Sequence, residues 1–274
     1  MSGSADRSGD PSLLGARLFD DVRALVTRVR RTDRRTATSA LRAAHLQCYG
    51  REPDYVIWAP SPLAGALAVG LVPLVHYDMC GLAVSPIDLE MARLVPTRLL
   101  VDVRRQIRAQ VTSHRRGLPV ERALPADYRL WQECYDKVLA ALGSAAVDEI
   151  YWGPPERRFS AFEECVGGQL ERDLPKDWFR YRDASGVNAI YDNLFIEMAA
   201  RAGVPDLDAW QPFARSSRLV DRYWLRPGYI VVCDLPTTIS VDDACRPHSV
   251  TAPALEWRDG WKVWATHGQL QDGH

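Results

Sequence analysis

Leu14, Leu18, Val22, Leu25 and Val29 recur three or four positions apart with Arg and Asp between them, a spacing that predicts an amphipathic helix ending in the basic run 28–35. A second helix is predicted to start at Thr32 or Asp33 as its cap, to carry Ala37, Leu41, Ala44, His45 and Cys48 on its apolar side, and to stop at Gly50. His45 on that side reads as a core histidine with satisfied ring nitrogens. YVIW at 55–58 predicts a short strand, and Ser61-Pro62 supplies a cap and first position for a helix rich in small residues. Residues 58–75 carry no charge over 18 positions, which reaches the lower length for a membrane span. Pro60, Pro62 and Pro73 interrupt that stretch, so a buried core helix of about a dozen residues is expected. At 75–81 polar and apolar residues alternate, and an extended chain there would put His76, Asp78 and Cys80 on one side.

Further helices are predicted from Ser85-Pro86, with Glu90 in the first turn, and after Pro96, with Leu99, Leu100, Val103, Ile107 and Val111 inward and Arg98, Arg104, Arg105 and Arg108 outward. Another spans 125–142 and closes at Gly143. The run 151–155 is a break, and the aromatic segment from there to Phe179 is poorly periodic. Val187 to Ala202 reads as a helix with Ile190, Leu194, Met198 and Ala199 inward, and Asp206 or Asp208 caps a short helix through Trp210 and Phe213.

Beyond Pro227-Gly228, the β-formers at 229–235 predict a strand covered on both faces. Asp259-Gly260 between aromatic and β-branched residues predicts a hairpin with a two-residue loop. That register sets Trp257 opposite Lys262 and Leu255 opposite Trp264, so Leu255, Trp257 and Trp264 share a face with Lys262 while Glu256, Arg258 and Trp261 share the other. The whole reads as α+β, mainly helical with a small antiparallel sheet near the C-terminus. It forms one domain over 13–274 behind a polar tail at 1–12.

Composition narrows the function. The 274 residues carry 34 basic and 35 acidic side chains, a formal charge of −1, so neither a nucleic-acid footprint nor an acidic partner is indicated. Cysteines at 48, 80, 134, 165, 233 and 245 show no CxxC or CxxH spacing and read as free thiols of a cytoplasmic protein. No metal or nucleotide cofactor and no membrane is expected. The expected partner is a small molecule, and a homodimer is left open.

Candidate chemistry concentrates in 242–268. His248 with Asp242 and Asp243 forms a candidate acid/base set, and Arg246, Trp224, Arg226, Trp257 and Trp261 are candidate substrate contacts, because a few polar groups in an aromatic surround make a pocket in which pKa values shift. The plainer alternative is that the two aspartates form an Asx turn and His248 bonds a backbone carbonyl. His76 and Asp78 are candidate pocket-lining acid/base groups, since strand spacing of about 7 Å separates them too far from Cys80 for direct proton transfer. A metal site from His76, Asp78 and His248, or from His267, has no supporting ligand spacing. The turn before the helix at Ser61 offers backbone donors to an anion, without the glycines of a phosphate loop or of a hydrolase nucleophile elbow.

The chain also resembles a family of uncharacterised bacterial proteins that share a domain of unknown function. The resemblance rests on Thr32-Asp33-Arg34 with Tyr49, on VIWAPSPL at 56–63, on Leu235-Pro236 with Asp242, and on Arg246-Pro247-His248 followed by Pro253-Ala254, Trp257, Asp259-Gly260 and His267-Gly268. Pro247 stands where the family is more often aliphatic, and Thr251-Ala252 replace an expected Gly. The resemblance implies a shared fold and no stated activity. The residues themselves suggest a small-molecule enzyme of bacterial specialised metabolism working by acid-base catalysis without metal, such as a condensation or cyclisation. The alternative is a noncatalytic protein- or ligand-binding module.

Overall fold

A computed structural model of the chain describes residues 31–80, 93, 96–111, 126–145, 147, 154–176, 178, 187–188, 196, 199–200, 203–216 and 218–272. The predicted tail and first helix, the helix start at 85–90, and Ile190, Leu194 and Met198 lie outside these residues. The elements in order are α1 (Arg34–Tyr49), β1 (Tyr55–Ala59), α2 (Pro62–Cys80), α3 (Thr97–Arg108), α4 (Ala126–Leu142), α5 (Pro154–Asp173), β2 (Val187–Asn188), a 3-10 turn (Asp208–Trp210) leading into α6 (Gln211–Ser216), β3 (Arg222–Arg226), β4 (Tyr229–Cys233), β5 (Thr238–Ile239), β6 (Leu255–Glu256), β7 (Lys262–Val263), β8 (Ala265–Thr266) and β9 (Gln269–Leu270). This is an α+β fold, with helices predominant and most strands short, antiparallel and in the C-terminal half.

Its centre is a four-stranded sheet of order β1-β4-β3-β2. β1 runs parallel to β4, Tyr55 opposite Tyr229 through to Ala59 opposite Cys233, whereas β3 is antiparallel to both β4 and β2. Strand alternation divides the side chains between two cores. Tyr55, Ile57, Ala59, Trp224, Val231 and Cys233 face the core built with α2, α3 and α5. Trp58, Tyr223, Leu225, Ile230 and Val232 face the one built with α1, α4 and α6. Every residue of β4 is buried, as its unbroken run of β-formers predicts. The strand pairs with β1 and β3, and the C-terminal hairpin belongs to a separate sheet.

α2 fills the first core. It is long and apolar enough to cross a membrane by length and composition, and nearly all of it from Pro62 to His76 is buried against protein. Gly65 lies against the Trp224 ring and the Cys233 thiol, where an added Cβ would sit 2.4 Å from the indole. The helix does not stop after a dozen residues. It runs through Pro73 to Cys80, so His76, Asp78 and Cys80 are on a helix and not a strand. Proline removes one N–H and leaves the carbonyl four residues earlier, on Val69, without its helical donor. The Tyr229 hydroxyl supplies a replacement at 2.8 Å, and the Trp178 indole N–H donates to Ala66 of the same helix at 3.1 Å.

α1 matches its prediction: Asp33 accepts from the Thr36 N–H, and Gly50 closes the helix in the left-handed region at φ 66°. His45 is fully buried, its ring nitrogens 2.8 Å from the carbonyl oxygens of Arg51 and Arg226. The free edge of β1 is covered by one side chain: the Gln110 carboxamide accepts from the Trp58 N–H at 2.8 Å and donates to the Trp58 carbonyl at 3.1 Å, the two bonds a neighbouring strand would make. Two further segments depart from expectation. The poorly periodic region contains a 20-residue helix, α5, which buries Ala161, Cys165, Val166 and Leu170, and the start of the helix predicted from Val187 is instead the edge strand β2.

The C-terminal hairpin is also in a different register. Leu255 pairs with Val263 and Glu256 with Lys262, while Trp257 and Trp261 close the loop through the Trp257 N–H to Trp261 carbonyl bond of 3.0 Å. The loop therefore has three residues, Arg258 to Gly260, with Gly260 left-handed at φ 84° and Asp259 Oδ1 accepting from the Trp261 N–H. One extra loop residue flips every later side chain. Leu255, Trp257, Trp261 and Val263 thus enter the core together, and Lys262 turns outward.

Candidate functional site

Asp242 is the hub of the C-terminal segment. Its Oδ1 accepts from the N–H groups of Ala244 and Arg246, both at 3.0 Å, which makes the Asx turn that Asp-Asp-Ala-Cys suggested. Its Oδ2 accepts from Arg246 Nε at 3.0 Å and Nη2 at 2.7 Å, and lies 2.9 Å from His267 Nδ1. Partial burial opposes ionisation, but the hydrogen bonds from Arg246 and His267 outweigh it and hold the carboxyl well below the usual carboxylate range. Cys245, buried, takes a left-handed φ of 59° to complete the turn.

His248 is half-buried and is not the imidazole that meets the carboxylate. Its N–H donates to the Ser240 carbonyl, its Nδ1 accepts from the His267 N–H at 3.2 Å, and its ring stacks on that of His267 with centroids 4.1 Å apart. His267 sits in the β8–β9 turn with φ 51°, its side chain 57 % exposed. With Nδ1 directed at Asp242, its Nε2 faces away from the carboxylate. Asp243 is exposed and makes no hydrogen bond or ion pair with another described residue.

The other predicted site residues do not converge on these. His76 is buried near the end of α2, 3.0 Å from the Tyr55 hydroxyl, whose own pKa burial pushes up to about 12. Asp78, on the outer face of the helix, pairs with Arg108 at 2.6 Å. Arg226 ends β3 beside the start of β4, and Trp224 lies mid-sheet under Gly65. Trp257 is buried, and Trp261 donates its indole N–H to Asp173 at 2.7 Å. The expected wall of tryptophans around His248 is therefore part of the hydrophobic core, because the hairpin register and the sheet alternation turn these rings inward.

A second polar cluster, which the sequence did not single out, occupies the opposite end of the sheet, where β1 and β4 both finish. Ser61 caps α2 by accepting from the Ala64 N–H and donates to Asp259 Oδ2 at 2.6 Å, tying the helix start to the hairpin turn. Asp234 receives Arg34 at 2.7 Å and Arg258 at 3.0 Å. Beside it, buried Arg222 pairs with Glu163, and burial pushes the Asp221 carboxyl up to about 7, against the opposing charge of Arg222. The Asp221 Oδ2 and the Trp257 indole N–H are both buried without a hydrogen-bond partner of good geometry among the described residues. Ser61 is wholly buried and is held by its two partners, which suits a structural clamp and not a nucleophile.

A sizeable concavity formed by described residues lies elsewhere, between α1 and α6. It is a groove of about 710 Å³ open to solvent. Thr36, Ser39, Ala40 and Ala43 form one wall, at the i, i+3, i+4, i+7 positions next to the buried stripe of α1. Gln211, Pro212, Ala214, Arg215, Arg218 and Leu219 form the other. A small-residue stripe beside the apolar one was visible in the sequence, but its partner wall lies some 170 positions on, and no periodicity links the two.

Fold and groove together define an α+β protein with a mixed sheet between two helical layers and an open cleft on one of them. No protein-family model, curated protein or solved structure matches the chain.

Proposed function

We propose that this chain is a noncatalytic module that binds a small molecule in the α1–α6 groove. The observation that carries the reading is the chemistry of the lining. The described residues that line it offer methyl and methylene surface, the hydroxyls of Thr36 and Ser39, the Gln211 amide and two guanidinium groups, with no His, Cys, Asp or Glu among them. Hydroxyl, carboxamide and guanidinium groups are hydrogen-bonding groups that suit binding more than general acid or base catalysis. The volume is in the range of pockets that take drug-sized ligands.

The reading is tested by thermal shift with a small-molecule library on the full chain. A ligand at about a hundred times its Kd adds about 2.7 kcal/mol of stability, a shift of several degrees for a chain of this size. Ala43→Trp should remove that shift, because a helical side chain leans over the turn before it and the indole would cover Ala40 and Ser39. If every shift survives the substitution, the groove is not the site.

A second reading is favoured by the Asp242–His267 pair, in which a carboxylate on Nδ1 leaves Nε2 turned outward to take a proton, as in acid-base catalysis. On this reading His267→Ala abolishes turnover of a substrate once one is found. On the first, it leaves ligand binding in the groove unchanged.

A further inference from the structure

We propose that the ligand of the groove is a small organic anion with an apolar body, its charged group held at Arg215; this rests on the groove being a binding site, as argued above. Arg215 lies in the last turn of the short helix α6 and is exposed on the groove wall, and among the described residues it has no ion-pair partner. Arg218, three positions on, adds a second positive charge to the same wall. No carboxylate is among the described residues that line the groove. The nearest acid along α1, Asp33, is occupied at the helix start, where its oxygens accept from the Thr36 N–H at 3.1 Å and the Thr36 hydroxyl at 2.7 Å.

Positive charge therefore lies on the α6 wall of the groove, and the methyl groups of Ala40 and Ala43 give the other wall an apolar surface. A guanidinium presents a planar fork of donors that matches a carboxylate, sulfonate or phosphate oxygen pair, and charge-assisted bonds of this kind are about twice as strong as neutral ones. A neutral ligand of the same body would leave that fork to water. The groove thus selects for charge on one side and tolerates variation in the body, since it is open to solvent.

The test uses the full chain with two fluorescent probes of nearly equal shape, anionic 8-anilinonaphthalene-1-sulfonate and its uncharged congener N-phenyl-1-naphthylamine. Both are titrated against the wild type, Ala43→Trp, and the charge reversal Arg215→Glu with Arg218→Glu. The inference expects both probes to be lost in Ala43→Trp, while the reversal weakens the anionic probe alone, by roughly tenfold or more at low salt. Loss of both probes in Ala43→Trp with no effect of the reversal would overturn the anion assignment and leave the groove standing as a site. Binding of both probes unchanged in Ala43→Trp would remove the site and the anion with it. Circular dichroism establishes that each variant is folded. Should Ala43→Trp fail that check, Ser39→Trp fills the same wall from an exposed position, and the reversal alters only exposed side chains.

Discussion

The Tyr229 hydroxyl donates to the Val69 carbonyl at 2.8 Å, and Val69 is the residue whose helical hydrogen bond Pro73 cannot make. A phenol from the central strand thereby repairs a defect in the central helix. Both groups are buried, so Tyr229→Phe should cost about 1–3 kcal/mol, the penalty for leaving a buried acceptor unpaired. In a Pro73→Ala background the helix recovers its own donor, and the same substitution should cost much less. Urea unfolding of the four proteins measures the coupling. Equal costs in both backgrounds would mean that the phenol does not replace the missing bond.

Gln110 stands in for a strand on the edge of the sheet. Gln110→Ala strips the Trp58 N–H and carbonyl of their partners and is expected to lose roughly 1–3 kcal/mol. It also exposes a pairing edge, so the variant should scatter more light than the wild type at high concentration. A variant that is less stable but no more prone to associate would restrict the role of Gln110 to stability.

Gly65 is where helix and sheet come closest. Gly65→Ala puts a methyl into the Trp224 ring and the Cys233 thiol and should destabilise by about 1–3 kcal/mol or more through overpacking. Trp224→Phe withdraws the ring atoms nearest to that methyl, so Gly65→Ala should cost less in its presence. Additive costs would show that the clash is relieved by another route.

Two aspartates give the stability opposite dependences on pH. The Asp221 carboxyl, raised by burial from 3.8 to about 7, keeps a proton in the folded chain that the unfolded chain has already released across that interval. Its contribution to stability therefore falls as pH rises from about 4 to 7. Asp221→Asn escapes this loss, and its unfolding free energy should improve relative to wild type between pH 4 and pH 8. Asp242, held low by Arg246 and His267, contributes stability above its ordinary 3.8 and loses it as the pH falls below that value. Asp242→Asn should cost about 1–3 kcal/mol at pH 7, and the cost should shrink in acid. A pH-independent difference for either variant would contradict the assigned shift.

Where one local rule acted alone, the sequence was a sufficient guide. Asp33 and Gly50 delimit α1, Val103 and Ile107 mark the inner face of α3, and the run 229–233 reads as a doubly covered strand. The sequence misled where a distant residue changed the rule. Pro73 looks like a helix end until Tyr229 is brought to Val69, and the Asp-Gly loop looks two residues long until Asp259 is shared between the Trp261 N–H and Ser61. α5 was missed because its buried positions 161, 165, 166 and 170 are separated by charged residues and Gly167-Gly168. At the site, the Asx turn at Asp242 was legible. The choice of His267 over His248 as the imidazole facing the carboxylate depends on a hairpin turn that pattern alone did not place, and the groove joins walls that no local signal connects.

The parallel pairing of Tyr55–Ala59 with Tyr229–Cys233 has a consequence for how the chain is made. When α2 leaves the ribosome, the strand that will carry Tyr229 and Cys233 against it lies roughly 150 residues from being translated, which at ordinary elongation rates is on the order of ten seconds or more. Throughout that interval this apolar helix has neither its completed sheet nor the phenol that mends its proline. Apolar surface left uncovered for that long is what makes a nascent chain prone to aggregate.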